Sequence, residues 1–137
     1  MRQLVLVVRR RLAGERGFTT VQFTMVFPIV LFAIVAAVQG ASYLHAQRIA
    51  QAAAEDGAEA ARAANGSIDR GRAVALDTLS QLGRTVVKDV SVTATRDADQ
   101  AAVEVVGKAL GPLGSLTVRA VSSGPVERFR PQQGAAP

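Results

Sequence analysis

The pattern of apolar and polar positions changes character three times along the chain. From Phe18 to Val38 the sequence FTTVQFTMVFPIVLFAIVAAV contains no Asp, Glu, Lys or Arg. These 21 residues would make a helix of about 31 Å, close to the ~30 Å hydrocarbon core of a bilayer. Pro28 removes one helix hydrogen bond, which membrane helices tolerate with a kink. From Gln39 to Ala64 there is no proline and alanine dominates, as in a strong helix former. Here Arg48, Gln51, Glu55, Glu59 and Arg62 recur at steps of three and four along one face. Ile49, Ala50, Ala53, Ala54, Gly57, Ala58 and Ala61 occupy the opposite face. Asn65-Gly66 reads as the stop, since glycine can take positive φ. One helix is therefore expected to start in the apolar segment and continue well beyond it. Its small outer face can pack on this chain's own C-terminal part or on another molecule.

A second, short helix is expected after Ser67, a suitable N-cap with Asp69 in the first turn. Ile68, Ala75, Leu76, Leu79 and Leu82 recur near helical spacing, and Gly83 closes it. The period then becomes two. Val90, Val92 and Ala94 alternate with Ser91, Thr93 and Thr95; Val103 and Val105 flank Glu104; Leu116, Val118 and Ala120 alternate with Thr117, Arg119 and Val121. The tetrapeptides Arg96-Asp97-Ala98-Asp99 and Gly111-Pro112-Leu113-Gly114 read as the turns. The expected fold class is α+β: a long N-terminal helix, a short second helix and a three-stranded antiparallel sheet packed by one face on helix. The expected organisation is a basic leader over 1–17, a transmembrane helix over 18–40, its extramembrane continuation over 41–65, a small α+β domain over 66–130 and a disordered tail over 131–137.

Charge sharpens this picture. The chain has 137 residues with 16 Lys+Arg against 11 Asp+Glu, a net +5. Five arginines and one acid lie in residues 1–17, and 18–47 carries no charged side chain. The excess is thus one arm beside an uncharged segment, a membrane-protein layout and not a nucleic-acid-binding surface. The positive-inside rule places residues 1–17 in the cytoplasm and the C-terminal part outside. A secretory signal cleaved near Ala41-Ser42 is the competing reading, although its apolar run exceeds the usual ~7–15 residues.

Catalytic chemistry finds little support. Cysteine is absent and His45 is the single histidine, which excludes disulfides, thiolate metal sites and paired-histidine sites. Asp97, Asp99 and Glu104 suit a polar turn better than a cation site. Asn65-Gly66-Ser67 matches a glycosylation sequon but equally a helix stop followed by a cap. No enzyme activity, cofactor or metal is expected.

A more specific constellation sits at the leader. Gly14-Glu15-Arg16-Gly17 directly precedes Phe18-Thr19-Thr20-Val21-Gln22-Phe23 and the apolar run. A basic leader, a glycine and a long, initially membrane-spanning helix resemble the class III, type IV-like prepilin signal. The stretch RGFTTVQFTMVFPIVLF more closely resembles the start of TadE-like proteins, with Gly17, Val21, Phe23, Val26 and Pro28 in register. Ala53 to Ala64, with Gly57-Ala58, resembles a further stretch of that family, Glu59 standing where an arginine would be. The resemblance implies a pilin-like fold and a pseudopilin or minor pilin of a tight-adherence (Flp) pilus or related secretion system, with a role in cell adhesion. It implies cleavage between Gly17 and Phe18 by a prepilin peptidase, and partnership with other pilin or Tad-type subunits. The family's glutamate, fifth after the glycine, is Gln22 here, which weakens pilin-like pairing with a neighbour's amine more than it weakens cleavage. Assembly would use Gln22, Pro28 and the small residues Ala36, Ala37, Gly40 and Ala41, which allow close helix approach. The alternatives are a single-pass secretion component that keeps its leader, and a small secreted binding domain.

Overall fold

A computed structural model describes the backbone of residues 2–127 and the side chains of residues 21–127; the expected tail over 131–137 lies outside the described residues. The elements run α1 (Arg2–Arg62), α2 (Ile68–Leu82), β1 (Val87–Arg96), β2 (Gln100–Gly111) and β3 (Gly114–Pro125). The three strands form one antiparallel sheet in the order β1-β2-β3, so the α+β expectation holds element by element. The chain divides into two units, residues 1–38 and 39–137.

In the first unit α1 passes through Pro28 without losing its helical assignment. From Val21 to Val38 every side chain is exposed except half-buried Val35. Phe23 and Phe27, one turn apart, stack with ring centroids 5.7 Å apart.

In the second unit α1 buries a continuous stripe. Gln39, Ala46, Ile49, Ala50, Ala53, Ala54, Gly57, Ala58 and Ala61 are buried, with Tyr43 packed against the same core. The spacing is three and four residues, the signature of one helix face. That face is covered by this chain's own strands and α2, which decides between the two packing possibilities for the outer part of the helix. The sheet contributes Val87, Val92, Ala101, Val103, Val105, Ala109, Val118 and Ala120. Val103, Val105 and Val118 are the largest fully buried side chains. A core made mostly of alanine and valine, with Ile49 and Leu79 and with Tyr43 at its edge, brings backbones close together.

The closest approach is between α1 and α2. A Cβ on Gly57 would lie 2.8 Å from the Gly71 carbonyl oxygen and 2.9 Å from the Ala75 Cβ. One on Gly71 would lie 2.7 Å from the Ala61 Cβ and 2.8 Å from the Gly57 oxygen. The two glycines thus face each other at the crossing. The Thr78 hydroxyl ties the pair further by donating to Asp56 Oδ2 at 2.8 Å.

Helix ends follow their local chemistry. Ser67 caps α2, its hydroxyl accepting from the Arg70 N–H at 3.1 Å, and the Gly83 N–H returns to the Leu79 oxygen at 2.8 Å. Of the apolar residues at helical spacing, Ala75 and Leu79 are buried while Ile68, Leu76 and Leu82 are exposed; Gly71 takes the remaining buried place. The C-terminus of α1 is closed by tertiary contacts. Arg96, at the end of β1, donates from its guanidinium to the Ala61 oxygen and, at 3.3 Å, to the Ala63 oxygen. The Glu127 N–H takes the Arg62 oxygen at 2.9 Å. These bonds satisfy carbonyls that a helix end leaves unpaired, and a cation there suits the helix dipole.

The β1–β2 register shifts between Lys88 and Ser91, with Asp89 at φ 51°. This bulge explains why Val87 and Val92, five residues apart, are both buried. An unbroken strand would place them on opposite faces.

Candidate functional site

The sequence points to the first part of α1 as the functional surface. Gly17 and Phe18 lie within the helical backbone of α1, and their side chains are outside the described residues. Gln22 and Pro28 are exposed, as are Ala36, Ala37, Gly40 and Ala41. A Cβ built on Gly40 would meet nothing within 4 Å. α1 is long and apolar enough to cross a membrane, and none of its apolar window is buried. Seven large side chains between Val26 and Ile34, from Val26 at 48% to Ile29 at 69% exposure, have no apolar cover from this chain. Such a surface is unfavourable in water and ordinary in lipid. The long apolar helix therefore suggests a single-pass membrane protein.

Immediately after this segment the environment inverts at Gln39, the one buried polar residue of the described core. Its Nε2 donates to the Gly114 oxygen at 3.2 Å, and its Oε1 accepts from the Leu113 N–H at 3.1 Å. Both partners belong to the β2–β3 turn, so one amide satisfies a donor and an acceptor of that loop. The approach is close enough that a Cβ on Gly111 would run into the Gln39 side chain. Two turns later Gln47 Nε2 donates to the Arg119 oxygen on β3 at 2.7 Å.

Two ion pairs lie on the sheet. Glu104 pairs with Arg119 at 2.6 Å across β2–β3 on the outer face of the sheet. Lys108 reaches Asp89 at 2.8 Å. This hydrogen bond and the opposite charge hold the Asp89 carboxyl below its usual pKa and raise the Lys108 ammonium above its own. Among the described residues no three His, Cys, Asp or Glu side chains gather as a metal site. His45 is exposed on α1. Two open clefts border the C-terminal end of α1. One, of about 560 Å³, is lined by Asp56, Glu59 and Arg70 among others. The second, of about 630 Å³, is lined by Asn65, Arg96 and Glu127 among others. Neither brings together a nucleophile and a base.

Sequence reasoning missed Gln39 and Arg96. The available signal for Gln39 was its place in the stripe: it stands four residues before Tyr43 and seven before Ala46, in phase with the buried face.

In a comparison with protein families, residues 17–59 match the family described as TadE-like protein. Comparison with curated proteins and with solved structures finds no match. The match begins at Gly17, takes in the apolar segment and ends two residues past Gly57. It suggests a component related to a Tad pilus. Over residues 17–59, through the apolar segment and most of the packed part of α1, this chain is similar to the TadE-like protein family.

Proposed function

We propose that the chain is a TadE-like pseudopilin or minor pilin, a structural or assembly component of a tight-adherence (Flp) pilus or related secretion system. Residues 1–17 form a cytoplasmic leader, 18–40 spans the membrane and the α+β domain lies outside. A prepilin peptidase cuts between Gly17 and Phe18, and the chemistry of maturation belongs to that partner. The observation that carries the reading is the family match starting at Gly17, directly after an arginine-rich arm. Support also comes from the uncovered apolar surface of α1 from Val21 to Val38. Along that surface Ala33 and Ala36 follow Gln22 by 11 and 14 residues, close to three and four turns of about 3.6 residues. Gln22 and the small residues therefore offer one strip to a neighbouring pilin or Tad-type subunit.

Gln22 also favours a second reading, a single-pass secretion component that keeps its leader, because a neutral amide cannot form the ion pair that a carboxylate would. A domain released near Ala41-Ser42 is disfavoured: that cleavage would remove Gln39, the side chain that holds the β2–β3 turn.

Intact mass of the chain, co-expressed with a prepilin peptidase, tests the proposal. The mature protein should start at Phe18, and Gly17→Leu should retain residues 1–17. Masses that differ only by the substitution itself, with residues 1–17 present in both, would leave the second reading in place.

A further inference from the structure

The β2–β3 hairpin ends in an apolar tip. Residues 109–118, ALGPLGSLTV, carry no charged side chain. Leu110 is 51% exposed, Leu113 57% and Leu116 44%, and Pro112 is exposed as well. Leucines at a turn are unusual, since turns favour glycine, proline and small polar residues. Here the glycines are present: Gly111 and Gly114 are register partners, and Gly114 sits at φ +112°. The turn geometry is therefore already provided for, and the leucines are surplus to it.

Two observations say what covers this tip. The first is its tether. Leu113 and Gly114 are bonded to Gln39, and Gln39 directly follows Val38, the last residue of the apolar segment. The hairpin is tied to α1 at the point where the apolar segment ends, which is where a membrane surface would lie. The second is the charge on the two legs. The first charged residue back along β2 is Lys108 and the first along β3 is Arg119. Lys108 is five residues from Leu113, about 16 Å of strand at ~3.3 Å per residue. An interfacial element sinks roughly 5–10 Å into the headgroup–acyl boundary. The uncharged tip is long enough to do so while Lys108 and Arg119, with their partners Asp89 and Glu104, stay out of the acyl region.

We propose that the tip of the β2–β3 hairpin, Leu110, Pro112 and Leu113, is a second membrane contact, seated with Gln39 in the headgroup–acyl boundary. The occupant of this apolar tip is lipid. The inference rests on the reading of 18–40 as a membrane segment. Its consequence is that the hairpin is covered while the chain resides in the bilayer and is uncovered when α1 leaves it.

The absence of cysteine permits a direct test in the full chain. Single-cysteine variants Leu113→Cys, Ile34→Cys and Asn65→Cys would each carry an environment-sensitive nitrobenzoxadiazole label. They would be reconstituted in phosphatidylcholine–phosphatidylglycerol vesicles, with and without a lipid-borne quencher at the headgroup–acyl boundary. Labels at Leu113 and Ile34 should be quenched, and the label at Asn65, beyond the far end of α1, should not. Quenching at Ile34 but no more at Leu113 than at Asn65 overturns the proposal while the span stands. A blue-shifted but unquenched Leu113 label also overturns it, because protein, such as a second copy, then covers the tip. No quenching at Ile34 refutes the spanning reading, and the hairpin contact with it.

Discussion

The crossing of α1 and α2 offers a test in which one methyl group carries the outcome. In Gly57→Ala the new Cβ would meet the Gly71 oxygen at 2.8 Å, the Ala75 Cβ at 2.9 Å and the Val103 Cγ1 at 3.2 Å. The first two belong to a helix backbone or its root and cannot swing aside. Only the valine methyl can yield. Overpacking of this kind costs about 1–3 kcal/mol. Against it, alanine is better than glycine inside a helix by about 0.8–1 kcal/mol. The net expectation is a loss of roughly 0–2 kcal/mol. The same substitution at Gly40 meets nothing within 4 Å, so only the helical gain remains. Comparing the two variants cancels the propensity and isolates the contact, a difference of about 1–3 kcal/mol. For a domain of this size each kcal/mol moves Tm by about 4–8 °C. Thermal unfolding of the full chain in mild detergent, followed by the sheet's circular dichroism, should place Gly57→Ala clearly below Gly40→Ala. Gly71→Ala fills the same gap from the other side, so the double variant should lose less than the sum of the singles. Equal Tm values for Gly57→Ala and Gly40→Ala would refute the close crossing.

Other consequences are open to measurement. Arg96→Met keeps the aliphatic stem but leaves the Ala61 and Ala63 oxygens without their donor; a lower denaturant midpoint is expected, by about 1–3 kcal/mol in stability. Gln39→Leu should cost a similar ~1–3 kcal/mol and raise hydrogen exchange at the Leu113 amide, whose partner it removes; unchanged exchange would count against the tether. Gly40→Leu should weaken association with a neighbouring helix while membrane amount stays constant, and about 1–3 kcal/mol of overpacking corresponds to roughly 5- to 150-fold in crosslinking or co-purification. Protease added outside the membrane should digest the domain beyond residue 65 and spare the leader, and protection of the domain would reverse the proposed orientation.

What could be read from the sequence was whatever is local. The change of period from helical to alternating marks the passage from α2 to β1, and Ser67, Gly83 and the two turn tetrapeptides mark ends because their chemistry acts within a few residues. The buried stripe on α1 was legible for the same reason. What escaped was long-range. Arg96 stands in a polar turn sequence, and nothing near it announces that it closes a helix 35 residues earlier. Gln39 looks like the first polar residue after a membrane segment, yet its partners lie 74 and 75 residues away. The exposure of Ile68, Leu76 and Leu82 was also hidden, because α2 meets α1 through a glycine and an alanine, and the leucines flanking that narrow contact are left outside. The bulge at Asp89 shifted the parity of β1, which simple alternation could not foresee.

Alanine does two different jobs along α1, and the difference lies in what surrounds it. Ala46, Ala50, Ala53, Ala54, Ala58 and Ala61 are buried at 0% exposure against the chain's own strands and α2. There the small side chain allows a β-sheet and a second helix to come within backbone reach. At Ala36, Ala37 and Ala41 the same side chain is exposed, with no cover from this chain. In lipid such a strip gains nothing from a hydrophobic effect, since lipid is as apolar as any side chain, and acts only through close packing with another helix. The family match at residues 17–59 runs across both kinds of alanine and ends before α2 and the sheet. The similarity therefore concerns the helix: its apolar segment and its small-residue packing. The α2 and sheet surfaces lie outside that match, so any recognition they perform has to be established from this chain's own residues, beginning with the uncharged hairpin tip beside Gln39.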